Sequence, residues 1–237
     1  MKKDILTYKL DKAGDFIEVI DSNKRYYGGD QAWFKKAFED KRDNIGQNGG
    51  CGTVAASNIT AYLSGCSKYK GLYAYSDFSK ENYIKHMKEM YNYVTPHHIG
   101  SRPLGVWPIR YLGSKVEKFA KDRGVDLKPV YRDSEFNYEN TTDYIKCGLK
   151  SNSPVAMLIG INNKLVNIPW KTSDSDGYTS QSFKLHWVTV TELYINKTSP
   201  ELSYVKVSSW GGYAEIYILN YIRINYIILI RYIKLTS

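Results

Sequence analysis

The order of patterns along the chain predicts an α+β fold. Helical spacing dominates as far as residue 150, and β-branched and aromatic runs separated by polar turns take over from there. Helices first and a meander of strands later do not fit an alternating parallel sheet. A single domain over residues 1–237 is expected, divided into an N-terminal extension with a helix (1–42), a mainly helical part (43–150) and a mainly antiparallel β part (151–237).

Each element has its own local reason. ILTYKL and FIEVI alternate weakly and end in the turn-rich RYYGGD, which gives two short extended pieces added to the domain. Asp30 suits the N-cap of a helix carrying Trp33, Phe34, Ala37 and Phe38 on one face. DNIGQNGG follows, and its glycines predict a tight loop with no helix. Helical spacing resumes at Cys51, with Ala55, Ile59, Tyr62 and Leu63 on one face and Gly65 as the stop. Further helices are expected over Ser79 to Tyr93, Ser114 to Arg123 and Thr142 to Lys150. The strands expected after them are PVAMLIGIN, KLHWVTVTELYI, LSYVKVSSW and YAEIYIL. The polar stretch from Asn162 to Lys184 is long for a connection, and its Trp170, Asp174, Asp176 and Tyr178 are candidate substrate contacts.

Composition excludes several classes. Hydrophobic residues at 43% and charged residues at 24% are ordinary for a globular chain, so disorder and fibrous repeats are poor explanations. The net charge of +9 is spread in pairs such as Lys24-Arg25 and Lys41-Arg42, without a basic stripe, and nucleic acid is not the expected partner. Asp4, Lys9 and Asp11 break any apolar leader, and Asn220, Arg223, Asn225 and Arg231 interrupt the C-terminal apolar tract. No membrane span is expected, that tract is read as terminal strands or a strand and helix, and the cytoplasm is the expected location. Three cysteines without CxxC spacing suit a reducing compartment. Cys66 and Cys147 lack any reactive setting and are expected to be structural, and His97 and His98 point apart in a Pro/Gly loop that can wall a cleft. No metal motif is present, and neither metal nor cofactor is expected.

The chemistry concentrates in NGGCGTVAASN. A thiol becomes a useful nucleophile at a helix N-terminus beside a histidine, and Cys51 opens a helix behind glycines that let backbone approach a carbonyl. Gly50 and Gly52 flank it, and its own N–H can face a developing oxyanion. The base is expected on a rigid element. Strand alternation puts His186 with Val188 and Val190 on one face, a polar group on an apolar stripe that demands a partner.

CGTVAASN followed far downstream by HWVTVT and VSSWGG resembles the papain-like superfamily of cysteine peptidases, and within it the bacterial branch similar to double-glycine peptidases. The resemblance covers roughly Gln47 to Gly211, with no readable match in the middle. It implies a two-lobed fold, Cys51 as nucleophile, His186 as general base, and an Asn or Asp orienting the histidine. Ser208 stands in that Asn place, with Ser209 as the neighbouring candidate. The family's oxyanion-hole glutamine falls where Ile45 stands, so Gln47 is the expected donor, with Asn48 as the alternative. Trp187 and Trp210 are expected beside a bound peptide or protein. The resemblance implies cleavage of a peptide or isopeptide bond through an acyl-thioester. The alternatives are acyl transfer to an amine from the same thioester, and a degenerate binding module.

Overall fold

A computed structural model describes residues 4–132, 136–160, 165–173, 177–222 and 232–236. Its architecture is mixed α and β, with helices packed against a large antiparallel sheet. The N-terminal segment forms β1 (Ile5–Lys9), β2 (Glu18–Asp21) and β3 (Lys24–Tyr27), three strands where two were expected. Next come the helices α1 (Lys41–Gly49), α2 (Cys51–Leu63) and α3 (Lys80–Tyr91). The hairpin of β4 (His97–Ile99) and β5 (Arg102–Gly105) precedes α4 (Ile109–Lys121), β6 (Lys128–Arg132) and α5 (Tyr138–Lys150).

The remaining strands are β7 (Val155–Ile159), β8 (Ile168–Lys171), β9 (Thr179–Gln181), β10 (His186–Asn196), β11 (Tyr204–Ser209) and β12 (Gly212–Tyr217). The C-terminal tract gives α6 (Ile218–Ile222) and β13 (Tyr232–Thr236), and residues 223–231 between them lie outside the described residues.

Sheet order is β6-β13-β7-β10-β11-β12-β8-β9, every pairing antiparallel. β10 is the axis of this sheet. Its first half pairs with β7, from His186↔Ile159 to Val190↔Val155, and its second half pairs with β1, from Glu192↔Lys9 to Asn196↔Ile5. The N-terminal extension is therefore stitched into the main sheet and is not an appendage. Both faces of β10 are covered, and the eight residues from His186 to Leu193 are all buried.

Three local expectations are corrected. Asp30 caps a single 3₁₀ turn, Gln31–Phe34, and not a longer helix, its carboxylate accepting from the Ala32 N–H at 2.9 Å. DNIGQNGG is helical, because Asp40 caps α1 through the Arg42 N–H at 2.7 Å and the buried Ile45 anchors it. Its glycines serve close packing. A side chain at Gly50 would meet the Gly46 carbonyl oxygen at 2.3 Å, so only glycine lets α1 run straight into α2. α4 and α5 also begin earlier than expected, behind Pro108 and behind Asn137, whose side chain accepts from the Asn140 N–H at 2.7 Å.

α2 lies at the centre of the packing. Of its residues only Tyr62 is not buried. Val54 and Ala61 join the larger apolar cluster with Val188, Val190 and Phe183, while Ala55, Ala56, Ile59 and Leu63 join a second cluster with α4 and Trp187. Among the described residues, no helix is long and apolar enough to cross a membrane.

Candidate active site

Cys51 is the first residue of α2, whose cap, Gly50, offers no side-chain hydrogen bond. The free amides of that first turn therefore remain available to the sulfur. Backbone N–H groups of Trp187, Gly52 and Cys51 itself favour the ionised sulfur electrostatically. Burial nevertheless dominates and pushes the Cys51 thiol above its ordinary pKa, with those three amides opposing the shift. The residue is 8% exposed.

His186 opens β10 and lines the same cleft as Cys51, together with Gln31, Asn58, Ser209 and Trp210. Two remote stretches of sequence thus meet at one place. The cleft holds only about 10 Å³ of free space on this side, room for one water molecule at most. The imidazole is stacked on Trp210 with ring centroids 4.0 Å apart and 19° between planes, and Phe183 meets its edge at 5.9 Å. Desolvation by these neighbours lowers the His186 pKa from 6.5 to about 3. Thiol and imidazole are accordingly both neutral. Among the described residues, no hydrogen bond joins the ring to Sγ.

The partner of the imidazole is Ser209, with Oγ 2.7 Å from Nε2. This corrects the expectation for Ser208. Ser208 also lines the cleft, but its Oγ donates to the Tyr27 carbonyl at 2.6 Å and accepts from Asn58 Nδ2 at 3.3 Å. Alternation explains the exchange: Ser208 pairs with Thr189, so it shares the Thr189 face, and Ser209 takes the His186 face. Trp170 steadies the same backbone, its Nε1–H donating to the Ser209 carbonyl at 2.9 Å.

Gln47 is corrected as well. Among the described residues that line the cleft, neither Gln47 nor Asn48 appears. Asn48 Nδ2 donates back to Asn44 at 3.0 and 2.9 Å. The amide that reaches the cleft belongs to Gln31, whose Nε2 donates to the Gln47 carbonyl at 2.8 Å and whose Oε1 is buried without a partner. Gln47 thus contributes its backbone, and the side chain comes from the 3₁₀ turn capped by Asp30. No spacing rule links positions 31 and 51, so sequence reasoning missed Gln31.

Asn58 was missed too, and an Asn two turns inside a small-residue helix was the available signal. Its Oδ1 accepts from the Gly29 N–H at 2.9 Å and Tyr83 OH at 2.7 Å, and its Nδ2 reaches Ser208 at 3.3 Å and Thr189 at 3.5 Å. Five segments are joined through one buried amide.

On its other side Cys51 borders a cavity of about 420 Å³ bounded by Val106, Trp107, Leu158, Leu185 and Trp187. Trp187, 2% exposed, is a fixed wall whose Nε1–H donates to the Val106 carbonyl at 2.8 Å. Gly50 and Gly52 line neither space. A side chain at Gly52 would strike Val106 at 2.6 Å, so that glycine seats the wall. The segment after the His97–His98 pair supplies this wall through Leu104 to Trp107, while His97 Nε2 itself donates to the Trp107 carbonyl at 2.6 Å.

Among the described residues, the other candidates do not line the cleft. Tyr178 is 62% exposed, and Asp174 and Asp176 fall outside the described residues. Cys66 and Cys147 are exposed free thiols, not structural ones. Among the described residues, no group of three or more His, Cys, Asp or Glu is placed to hold a metal ion. No protein-family model matches the chain, and no curated protein is similar to it in sequence.

Proposed function

We propose that the chain is a thiol-dependent hydrolase of the papain-like kind, acting on a peptide or isopeptide bond. The observation that carries this reading is the shared cleft, which a thiol at a helix N-terminus lines together with a histidine from a remote strand.

The chemistry follows from the neutral ground state. With the thiol raised and the imidazole held near 3, a standing thiolate–imidazolium pair is disfavoured, so proton transfer accompanies bond formation. His186 takes the Cys51 proton as sulfur adds to the amide carbonyl. Its Nε2–H donates to Ser209 Oγ meanwhile, which fixes the ring and supports the transient positive charge. The imidazolium then gives its proton to the departing amine, and the acyl group stays on sulfur as a thioester. Water, deprotonated by the same imidazole, releases the acid and restores the thiol. The N–H groups of the α2 first turn and the second N–H of Gln31 Nε2 are the donors available to the oxyanion.

A second reading has its own support. A protonated, buried thiol beside an uncharged Ser209 suits a papain-like module that binds a peptide and cleaves nothing. Iodoacetamide labelling of Cys51 across pH, in wild type and His186→Ala, separates the two. As an enzyme, the wild type labels about tenfold or more faster than His186→Ala at neutral pH. Equal rates, each rising only in the alkaline range of an ordinary or raised thiol, leave the binder.

A further inference from the structure

The two spaces that meet at Cys51 differ in chemistry. The tight one contains His186, Ser209 and Gln31, and the 420 Å³ cavity contains none of them. Because His186 must hand its proton to the departing amine, the leaving nitrogen lies toward the imidazole. The cavity, which Cys51 borders and His186 does not, is therefore left for whatever is attached to the acyl carbon. This step rests on Cys51 being the nucleophile.

We infer that this cavity selects substrates whose acyl side carries a bulky, neutral, apolar side chain next to the scissile bond, and rejects both charged groups and glycine there. Among the described residues no charged side chain lines it, so a carboxylate or ammonium placed inside would lose its hydration without a partner there. Its volume falls in the range of small-molecule pockets, and glycine would leave it empty. The rim repeats the message. Leu104, Trp107 and Leu185 are 42%, 54% and 58% exposed, large apolar surfaces left in water around the mouth. The floor is fixed by the Trp187–Val106 hydrogen bond and the close approach of Val106 to Gly52. A preformed wall of this kind discriminates by shape with little rearrangement.

The test uses peptidyl chloromethyl ketones that share one leader and differ only in the residue beside the warhead: Leu, Phe, Gly, Asp or Lys. Each alkylates Cys51 with loss of chloride, and mass spectrometry follows the rate. The Leu and Phe probes should react about tenfold or more faster than the other three. In Leu104→Asp and in Leu185→Asp, both at the rim, that advantage should collapse. Equal rates across the probes, or an advantage untouched by either substitution, overturn the inference. Should Cys51 show no His186-dependent reactivity, the nucleophile reading fails separately. The cavity is then judged in Cys51→Ala, by tryptophan fluorescence on adding the same peptides as amides. Binding of Leu and Phe peptides without Gly, Asp or Lys supports it, and undifferentiated binding refutes it.

Discussion

Ser208 and Ser209 sit next to each other, and strand alternation sends them to opposite faces with different tasks. Ser209→Ala removes the hydrogen bond of the His186 ring and should lower His186-dependent labelling of Cys51 by about tenfold. Ser208→Ala instead strands the Tyr27 carbonyl and the Asn58 amide. It should cost on the order of 1–3 kcal/mol in urea unfolding, with a smaller effect on labelling. Finding the two effects reversed would return the histidine partner to Ser208. The sequence located the serine pair and favoured Ser208 within it, because the right choice depends on β11 register against β10. Cys51 and His186 were legible because a helix start and a lone polar residue on an apolar strand each leave a local signature.

The β11–β12 hairpin shows how an element can carry strain at a candidate site. Ser209 pairs with Gly212, so Trp210 and Gly211 form a two-residue turn with φ of 50° and 69°. Two positive φ values mark the turn that matches strand twist and favours Asn-Gly. Gly211 adopts it freely, whereas Trp210 does so at a cost on the order of 1 kcal/mol, offset by stacking on His186 and packing on Phe183. Trp210→Asn should ease the backbone while admitting water to the imidazole. Its pKa should climb from about 3 towards 6.5, as an NMR titration of the His186 ring would record. A ring that stays below pH 4 in the variant would show that Trp210 is not what desolvates it. Helices and strands with clean periodicity were readable from sequence. α1 was not, since Gly46, Gly49 and Gly50 speak locally for a loop, and only contact with Phe34 and Pro103 makes them helical.

Across the whole molecule, buried neutral histidines tie stability to acidity. His86 is fully buried, with Nε2–H shared between the Ser57 carbonyl at 3.2 Å and Thr60 Oγ1 at 3.1 Å, and with Nδ1 unpartnered. Burial lowers its pKa from 6.5 to about 4, with Glu89 pulling it up and Arg123 pushing it down. The unfolded chain therefore takes up this proton first. The contribution is complete above pH 6.5 and is lost as pH falls towards 4, a loss on the order of 3 kcal/mol. His186 adds a slope of the same sign, extending to about pH 3. Urea midpoints should fall steadily between pH 6.5 and 4, and His86→Leu should flatten that fall. A midpoint independent of pH over this window would contradict the assignment. Nothing local marks His86 as a core residue, because a histidine on an amphipathic helix reads as surface until Tyr73, Tyr83 and Phe119 close over it.

Keeping Cys51 protonated and covered has a bearing on survival under oxidative stress. Peroxide attacks thiolate that it can reach, and this sulfur is held as the thiol and buried. Cys66 and Cys147, out on the surface, would meet an oxidant before Cys51 does.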